Sequence, residues 1–152
     1  MAIAPNTTFV SGAVLTAAQM NQLPWGIVAY TEGTSNTTLS TTEVVAVTGL
    51  SFTAISSRQY KMTYFEPEVQ GTSNGYVINR IRSTNLTGTI RNEAAMNLVA
   101  SSISSTICTV VVSGLSGSVN IVGTLALQTG VGTAFGGGNQ HRVLMVEDIG
   151  AA

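Results

Sequence analysis

Apolar and polar residues alternate along most of the chain after Pro24. Alternation places successive side chains on opposite faces of an extended segment, so it predicts β-strands. Runs rich in Thr, Ser, Asn and Gly separate the alternating segments and supply the turns between them. Short strands at this spacing, without a second helical period, indicate an all-β fold, either a β-sandwich or a jelly roll, over residues 25–152. The strands are predicted at 25–30, 43–54, 58–70, 76–83, 87–99, 105–113, 117–129 and 141–149.

The first 24 residues differ from the rest of the chain. Thr16 followed by Gln19 is a capping-box pattern, in which each side chain bonds the backbone N–H of the other residue. Good helix formers follow Thr16, and Pro24 prevents the helix from continuing. Residues 1–24 are therefore predicted to form an extended arm and then one helix of about two turns that ends near Gln22. Because so short a helix is unstable alone, its apolar residues have to pack on the sandwich or on a neighbouring chain.

The segment from residue 58 to residue 83 is predicted to form a hairpin around the turn dipeptide Asn74–Gly75. Pro67 places the first strand at a sheet edge or in a bulge. The odd-numbered face is predicted to point to the core, with Phe65, Val69, Val77 and Ile81. The even-numbered face carries aromatic, Met and Arg side chains, which are enriched in protein interfaces. It predicts a subunit interface, with an ordinary solvent-exposed face as the alternative, formed by Tyr60, Met62, Tyr64, Arg80 and Arg82.

Three further predictions concern this region and the later strands. Glu66 or Glu68 is expected near Arg80 or Arg82 across the hairpin. The strand at 105–113 is apolar enough to be buried on both faces, with Cys108 as a small buried residue. Phe135, in the glycine-rich loop at 130–140, either folds back on its own sandwich or enters a partner, and it is included in the predicted subunit interface.

Composition limits the classes of function. Charged residues make up 9% of the 152 residues and the formal net charge is −1, so the chain lacks the basic field of a nucleic-acid binder. No segment resembles a secretory signal or a membrane-spanning helix, which predicts synthesis in the cytoplasm and no membrane partner. Few charges and 44% hydrophobic residues favour a protein that assembles with copies of itself or with neighbours.

The residues that carry chemistry are sparse. The chain has one His, one Cys and seven carboxylates, and no pattern brings them together. Glu147 and Asp148 are adjacent, so a strand would point them to opposite faces. The glycines at 130–138 match neither a phosphate-binding loop nor a dinucleotide fingerprint. We therefore predict no catalytic residue, no metal site and no cofactor; a depolymerase would need paired carboxylates in a groove, and nothing in the sequence places them.

Motifs at both ends, and their order along the chain, resemble the small virion structural proteins of tailed bacteriophages. The start, FVSGAVLTAAQMNQLPWGIVAY at 9–30, and the end, RVLMVEDIGAA at 142–152, are similar to the ends of that group. Between them, VTGLSFT at 47–53 and RQYKMTY at 58–64 also resemble it. The group comprises minor tail, appendage and head-decoration proteins, for which no catalytic residues are known. The resemblance implies a sandwich or jelly-roll subunit, commonly trimeric, that an N-terminal arm fixes to the virion.

The expected function is therefore that of a non-enzymatic virion structural protein, a trimeric head-decoration protein that contacts major capsid or tail proteins. The alternative is a minor tail, tail-fibre or appendage protein that binds a receptor or glycan, with Trp25, Tyr30 or Tyr76 as stacking platforms. The expected localisation is the virion. The resemblance assigns virion anchoring to the apolar residues of the first segment, namely Phe9, Val10, Leu15, Met20, Leu23 and Trp25.

Overall fold

The computed structural model describes residue 14 and residues 16–152, and strands account for most of that part of the chain. One short helix, α1, covers Ala17–Gln22. The strands confirm the predicted all-β fold. In chain order they are β1 (Gly26–Gly33), β2 (Thr37–Leu39), β3 (Val44–Ala54), β4 (Arg58–Gly71), β5 (Gly75–Ser83), β6 (Ile90–Leu98), β7 (Ile103–Ser113), β8 (Gly117–Leu127), β9 (Gly132–Ala134) and β10 (Arg142–Ala151).

The strands form two antiparallel sheets that pack face to face as a β-sandwich. The large sheet has the order β1–β10–β4–β9–β2, and β7 pairs with the remaining side of β4. The small sheet has the order β3–β8–β5–β6. At the two sides of the sandwich, β1 lies beside β3 and β6 lies beside β7. Each sheet therefore has an inner face toward the core and an outer face.

An apolar core fills the space between the sheets. The large sheet contributes aromatic and sulfur-containing side chains from β4 and β7, and the small sheet contributes aliphatic ones from β5 and β8. Cys108 is among them, as predicted, and burial raises the pKa of its thiol. Fully or almost fully buried members include Tyr60, Met62, Tyr64, Val77, Ile81, Cys108, Ile121, Leu125 and Leu144.

Helix α1 begins and ends where the sequence predicts. The Gln19 backbone N–H donates to Thr16 Oγ1 at 3.2 Å, and the Thr16 N–H donates to Gln19 Oε1 at 2.8 Å, which completes the capping box. Leu23 is extended, with φ −72° and ψ 149°, as expected for a residue before Pro24. The helix contacts β10.

The predicted hairpin between residues 58 and 83 is wrong. Strand β4 lies in the large sheet and pairs with β10, β7 and β9, whereas β5 lies in the small sheet between β8 and β6. The bend before Gly75 therefore carries the chain from one sheet to the other. Asn74 bonds to other loops there: its Oδ1 accepts from the Ala100 N–H at 2.8 Å, and its carbonyl accepts from Thr129 Oγ1 at 2.8 Å. These long-range contacts, which the dipeptide does not encode, decide the path.

The predicted core face is correct for β5 and wrong for most of β4. Val77 and Ile81 are buried, but on β4 Phe65 is exposed on the outer face. The pairing with β7 shifts between Glu66 and Val69, where β4 has an extra residue, so the inward parity changes from even to odd. Pro67 was predicted to lie either in a bulge or at a sheet edge. It lies at this bulge, and β4 is a central strand of the large sheet.

Candidate interaction surfaces

Three rows of side chains cross the outer face of the large sheet over β1, β10, β4 and β7. The pairing of adjacent strands fixes each row, because directly paired residues point to the same side of a sheet. We name these rows, together with Ile103, the apolar face. The rows are Ile27–Glu147–Lys61–Val111, Tyr30–Met145–Thr63–Thr109 and Glu32–Val143–Phe65–Ile107.

Large apolar side chains on this face lie in solvent. Ile103, Ile107 and Val111 on β7 are exposed by 61%, 57% and 53%, and Phe65 beside them is also exposed. The prediction that residues 105–113 are buried on both faces is therefore wrong: the odd positions of β7 point outward. Contiguous exposed apolar side chains mark interaction sites on soluble proteins. The apolar face is accordingly the strongest candidate interaction surface among the described residues.

The charged groups of the apolar face are paired within it. Lys61 Nζ donates to Glu147 Oε2 at 2.9 Å. At the β1 rim, Glu32 accepts a hydrogen bond from the Tyr30 hydroxyl and lies 2.9 Å from Nδ1 of His141. The hydrogen bond from Tyr30 lowers the pKa of Glu32 and raises that of Tyr30. Lys61 and Glu147 are part-buried and the groups at the β1 rim are exposed, so their pairing contributes little stability.

The outer face of the small sheet, named here the charged face, is organised around Glu43. Arg82 donates to the Glu43 carboxylate from Nε and Nη2, each at 2.7 Å. Arg80 Nη1 lies 3.0 Å from the same carboxylate, and Arg80 Nε lies 2.6 Å from Glu93. The buried hydroxyl of Thr124 also donates to Glu43. Two acids and two arginines thus form one connected network.

This network covers small side chains on the charged face. Val122, Thr124 and Ala126 on β8 are buried although they point away from the core. Partial burial raises the pKa of Glu43, but the hydrogen bonds from Arg82 and Thr124 and the charges of both arginines outweigh it, so the net pKa is lowered. The ion pairs therefore complete this face within one chain, and they leave Tyr76 and Ile90 as its exposed large apolar residues.

A buried polar cluster lies inside the sandwich beneath the apolar face. The Tyr64 hydroxyl donates to Glu66 Oε2 at 2.8 Å, and Arg142 Nε lies 3.2 Å from the same oxygen. All three side chains are fully buried. The second carboxylate oxygen of Glu66 has no hydrogen-bond partner among the described residues. The Arg142 guanidinium also joins β2, β3 and β9, because it donates to Thr37 Oγ1 and to the carbonyls of Ala46 and Ala134, at 2.5, 3.0 and 2.7 Å.

Burial dominates the electrostatics of this cluster. It raises the pKa of Glu66 to about 7, against the opposing effects of the Arg142 charge and the Tyr64 hydrogen bond. Gly33 makes room for Arg142, because a Cβ at that position would lie 2.5 Å from Arg142 Cδ. Gly123 likewise lies against the Tyr64 ring. The cluster is enclosed by packing and ties strands together, so its geometry suits a structural role and not the binding of a substrate.

A second cluster fixes the point where the first segment meets the sandwich. Arg58 is buried and donates to both carboxylate oxygens of Asp148, and its Nη2 donates to the Leu23 carbonyl at 2.6 Å. The Trp25 ring lies over the guanidinium, with 4.1 Å between Cζ and the ring centroid. The Gly150 N–H donates to Asp148 at 3.0 Å. We name Arg58, Asp148, Leu23 and Trp25 the arm root.

The structure describes three of the six residues that were predicted to anchor the chain to the virion. Met20 and Trp25 are exposed, and Leu23 is half-buried at the arm root. Anchoring by these residues stays a prediction. Phe9, Val10 and Leu15 lie outside the described residues.

The predicted subunit interface is wrong for Tyr60, Met62 and Tyr64, which are core residues of one chain. Their strand runs through the middle of the large sheet, and the even positions before the bulge point inward. The predicted carboxylate partners are also wrong, since Glu66 contacts Arg142 and the two arginines contact Glu43. Arg80 and Arg82 lie half-buried on the charged face, and Phe135 is half-buried with its N–H bonded to the Glu68 carbonyl at 2.9 Å.

Sequence reasoning missed the exposed stripe of β7. The signal was present: Ile103, Ile107 and Val111 are spaced by four, with Ser or Thr between them at the other odd positions.

Among the described residues, no group of three or more His, Cys, Asp and Glu side chains is placed to hold a metal ion. In that same part of the chain, no helix has the length and apolar character needed to cross a membrane.

Comparison with known proteins finds only weak similarity to solved structures. No protein-family model matches the chain, and no curated protein sequence matches it. A solved structure described as "CBM4 structure and function" is 11% identical, with a TM-score of 0.31, over 65% of this chain and 61% of that one. The infectious bursal disease virus Gx strain structure is 11% identical, with a TM-score of 0.40, over 81% of this chain and 36% of that one.

The enzymatically active domain of tailspike protein 4 from bacteriophage CBA120 is 11% identical to this chain, with a TM-score of 0.30. The match covers 79% of this chain and 19% of that one. This chain therefore spans less than two thirds of each of the three structures. Their identities and TM-scores are too low to indicate a function.

Proposed function

We propose that this chain is a non-enzymatic structural subunit of a tailed-bacteriophage virion that assembles with copies of itself. The observation that carries the proposal is the apolar face, where Ile103, Ile107, Val111 and Phe65 lie in solvent on one sheet. Half-exposed aliphatic side chains of this number stabilise an assembly when they are covered, by about 25 cal/mol per Å² of apolar area. The resemblance of both chain ends to virion proteins supports the setting.

Within this class, the proposed role is a trimeric head-decoration protein fixed to the capsid by residues 1–24. The single sandwich of the described residues supports this role. The alternative is a minor tail or appendage protein that binds a receptor or glycan, for which the exposed ring of Tyr76 is one stacking platform. Copy number separates the two: hundreds of copies per particle indicate the head, and a few or a few dozen indicate the tail.

The proposal is tested on virions from a culture infected by the phage that encodes this chain. Quantitative mass spectrometry of purified particles gives the copy number of the chain relative to the major capsid protein. We expect a fixed, reproducible ratio of this chain to the major capsid protein. Absence of the chain from particles that retain infectivity would contradict a structural role. Release of reducing sugars from host polysaccharide by the purified chain would contradict the non-enzymatic assignment.

Anchoring is tested by a deletion that spares the arm root. Removing residues 1–15 keeps the Thr16 cap and the bond between Arg58 and the Leu23 carbonyl, so the sandwich is expected to fold. The expected result is an unchanged number of subunits in the oligomer with loss of binding to particles that lack the chain. The full-length chain is the matched control. Undiminished binding of the deleted chain would contradict the anchoring role of these residues.

A further inference from the structure

The exposed stripe on β7 stands out among the edge strands of the sandwich. Residues 103–113, ISSTICTVVVS, contain no charge and no proline, the usual devices that keep an edge strand from associating. The edge strand β6 carries Arg91 and Glu93, and β1 has a bulge near Ile27 and carries Glu32. Strand β3 has two register shifts in its pairing with β8. Of these four long edge strands, β7 is the one that has no charge, no proline and no bulge of its own, although it lies beside β6.

We infer that the apolar face is the contact between copies of this chain, with the stripe Ile103–Ile107–Val111 inside the covered area. This inference rests on the proposed function only in that both require a homo-oligomer.

The size of the apolar face suits a second copy. The three rows cover four strands about 4.8 Å apart and about five residues of about 3.3 Å along each strand, which gives a projected area of about 320 Å². A standard protein interface buries about 800 Å² per partner. Because protruding side chains make the accessible area larger than the projection, and Ile103 extends the face along β7, the face can supply the central part of a contact between copies.

The charges of the face also suit a second copy. The face carries Lys61 and Glu147, which contact each other, and Glu32 at the β1 rim. When two such faces meet, each lysine has a glutamate of the partner available. The charged face lacks this property, because Arg80, Arg82 and Glu43 are already bonded together and desolvating them costs free energy.

The test compares Ile107→Glu with the matched variant Tyr76→Glu by sedimentation velocity of the purified full chain. Both positions are about half exposed, but Tyr76 lies on the charged face. Wild type and Tyr76→Glu are expected to sediment as the same oligomer. Ile107→Glu is expected to associate at least ~100-fold more weakly and to sediment as a 15.7 kDa monomer, since it places a charge inside an apolar contact.

Circular dichroism and thermal unfolding establish whether each variant folds. If Ile107→Glu does not fold, Val111→Glu at one end of the stripe replaces it, with the same expected result. An oligomer that survives both stripe variants overturns the inference and leaves the proposed virion role standing. A wild-type chain that is monomeric at high concentration overturns the inference and also the self-assembly part of the proposed function, and the copy number in particles then decides the virion role alone. Dissociation on deletion of residues 1–15, with Ile107→Glu still oligomeric, assigns the contact to that segment and overturns the inference as well.

Discussion

The two outer faces of the sandwich differ in how their side chains are covered, although both are built from antiparallel strands with alternating apolar and polar residues. On the charged face, the Glu43 network covers the small side chains of β8, so that surface is complete within one chain. On the apolar face, Ile107, Val111 and Phe65 lie in solvent beside one part-buried ion pair. Ion pairs thus close one side of the molecule, whereas the other side keeps apolar side chains in solvent, which we propose a second copy covers.

The largest predicted effect concerns pH and separates the cluster beneath the apolar face from the charged face. Burial raises the pKa of Glu66 from 4.5 to about 7, so the folded state disfavours its ionised form. The free energy of unfolding should fall as pH rises from about 5 to about 8, by up to about 3 kcal/mol. Urea unfolding at each pH measures this fall, and Glu66→Gln is expected to abolish it.

The charged face has the opposite dependence. Since the pKa of Glu43 is lowered in the folded state, its contribution is present above the ordinary value of 4.5 and is lost as pH falls through the folded pKa. Glu43→Gln should remove this loss of stability at acid pH. It should leave in place the fall in unfolding free energy that Glu66 causes between about pH 5 and about pH 8. If the two variants change the pH profile in the same range, the proposed electrostatic difference between the two regions is wrong.

At neutral pH, two matched substitutions compare the faces directly. Glu43→Gln removes the charge that pairs Arg80 and Arg82, and about 2 kcal/mol of unfolding free energy should be lost, because both guanidinium groups are half-buried. Glu147→Gln removes an exposed partner of Lys61 and should cost less than about 0.5 kcal/mol. Urea denaturation of both variants provides the measurement, and equal losses would contradict the comparison.

A substitution at the arm root defines where the apolar face ends. Trp25→Leu keeps an apolar side chain but removes the aromatic ring over Arg58, and it should lower the free energy of unfolding by about 1 kcal/mol. Because Trp25 belongs to the arm root, the molar mass in solution should stay unchanged. A change in molar mass would show that the contact between copies extends beyond the apolar face to the arm root.

Local features of this fold were predictable from the sequence. Helix α1 follows from Thr16, Gln19 and Pro24, whose effects act within a few residues. The alternation of apolar and polar residues locates the long strands for the same reason, because it depends only on residues that are close in sequence. The short strands β2 and β9, of three residues each, fall in segments where Thr and Gly predict turns.

Two features depend on distant residues and were not predictable. Asn74–Gly75 was expected to close a hairpin, but Ala100 and Thr129 hold this bend between two sheets. The inward face of β4 was misassigned because a bulge at Pro67 changes the parity and because Phe65 and Tyr64 are both aromatic. The apolar face itself makes alternation ambiguous, since an exposed interface and a core use the same residue types.

Cysteine accessibility tests most directly whether copies of the chain cover the apolar face. Single variants Ile107→Cys and Tyr76→Cys are labelled with a maleimide in the assembled oligomer and after dissociation, while buried Cys108 in the wild type provides the background. The account predicts that position 76 reacts in both states and that position 107 reacts only after dissociation. Equal, rapid labelling of both positions in the intact oligomer would contradict it.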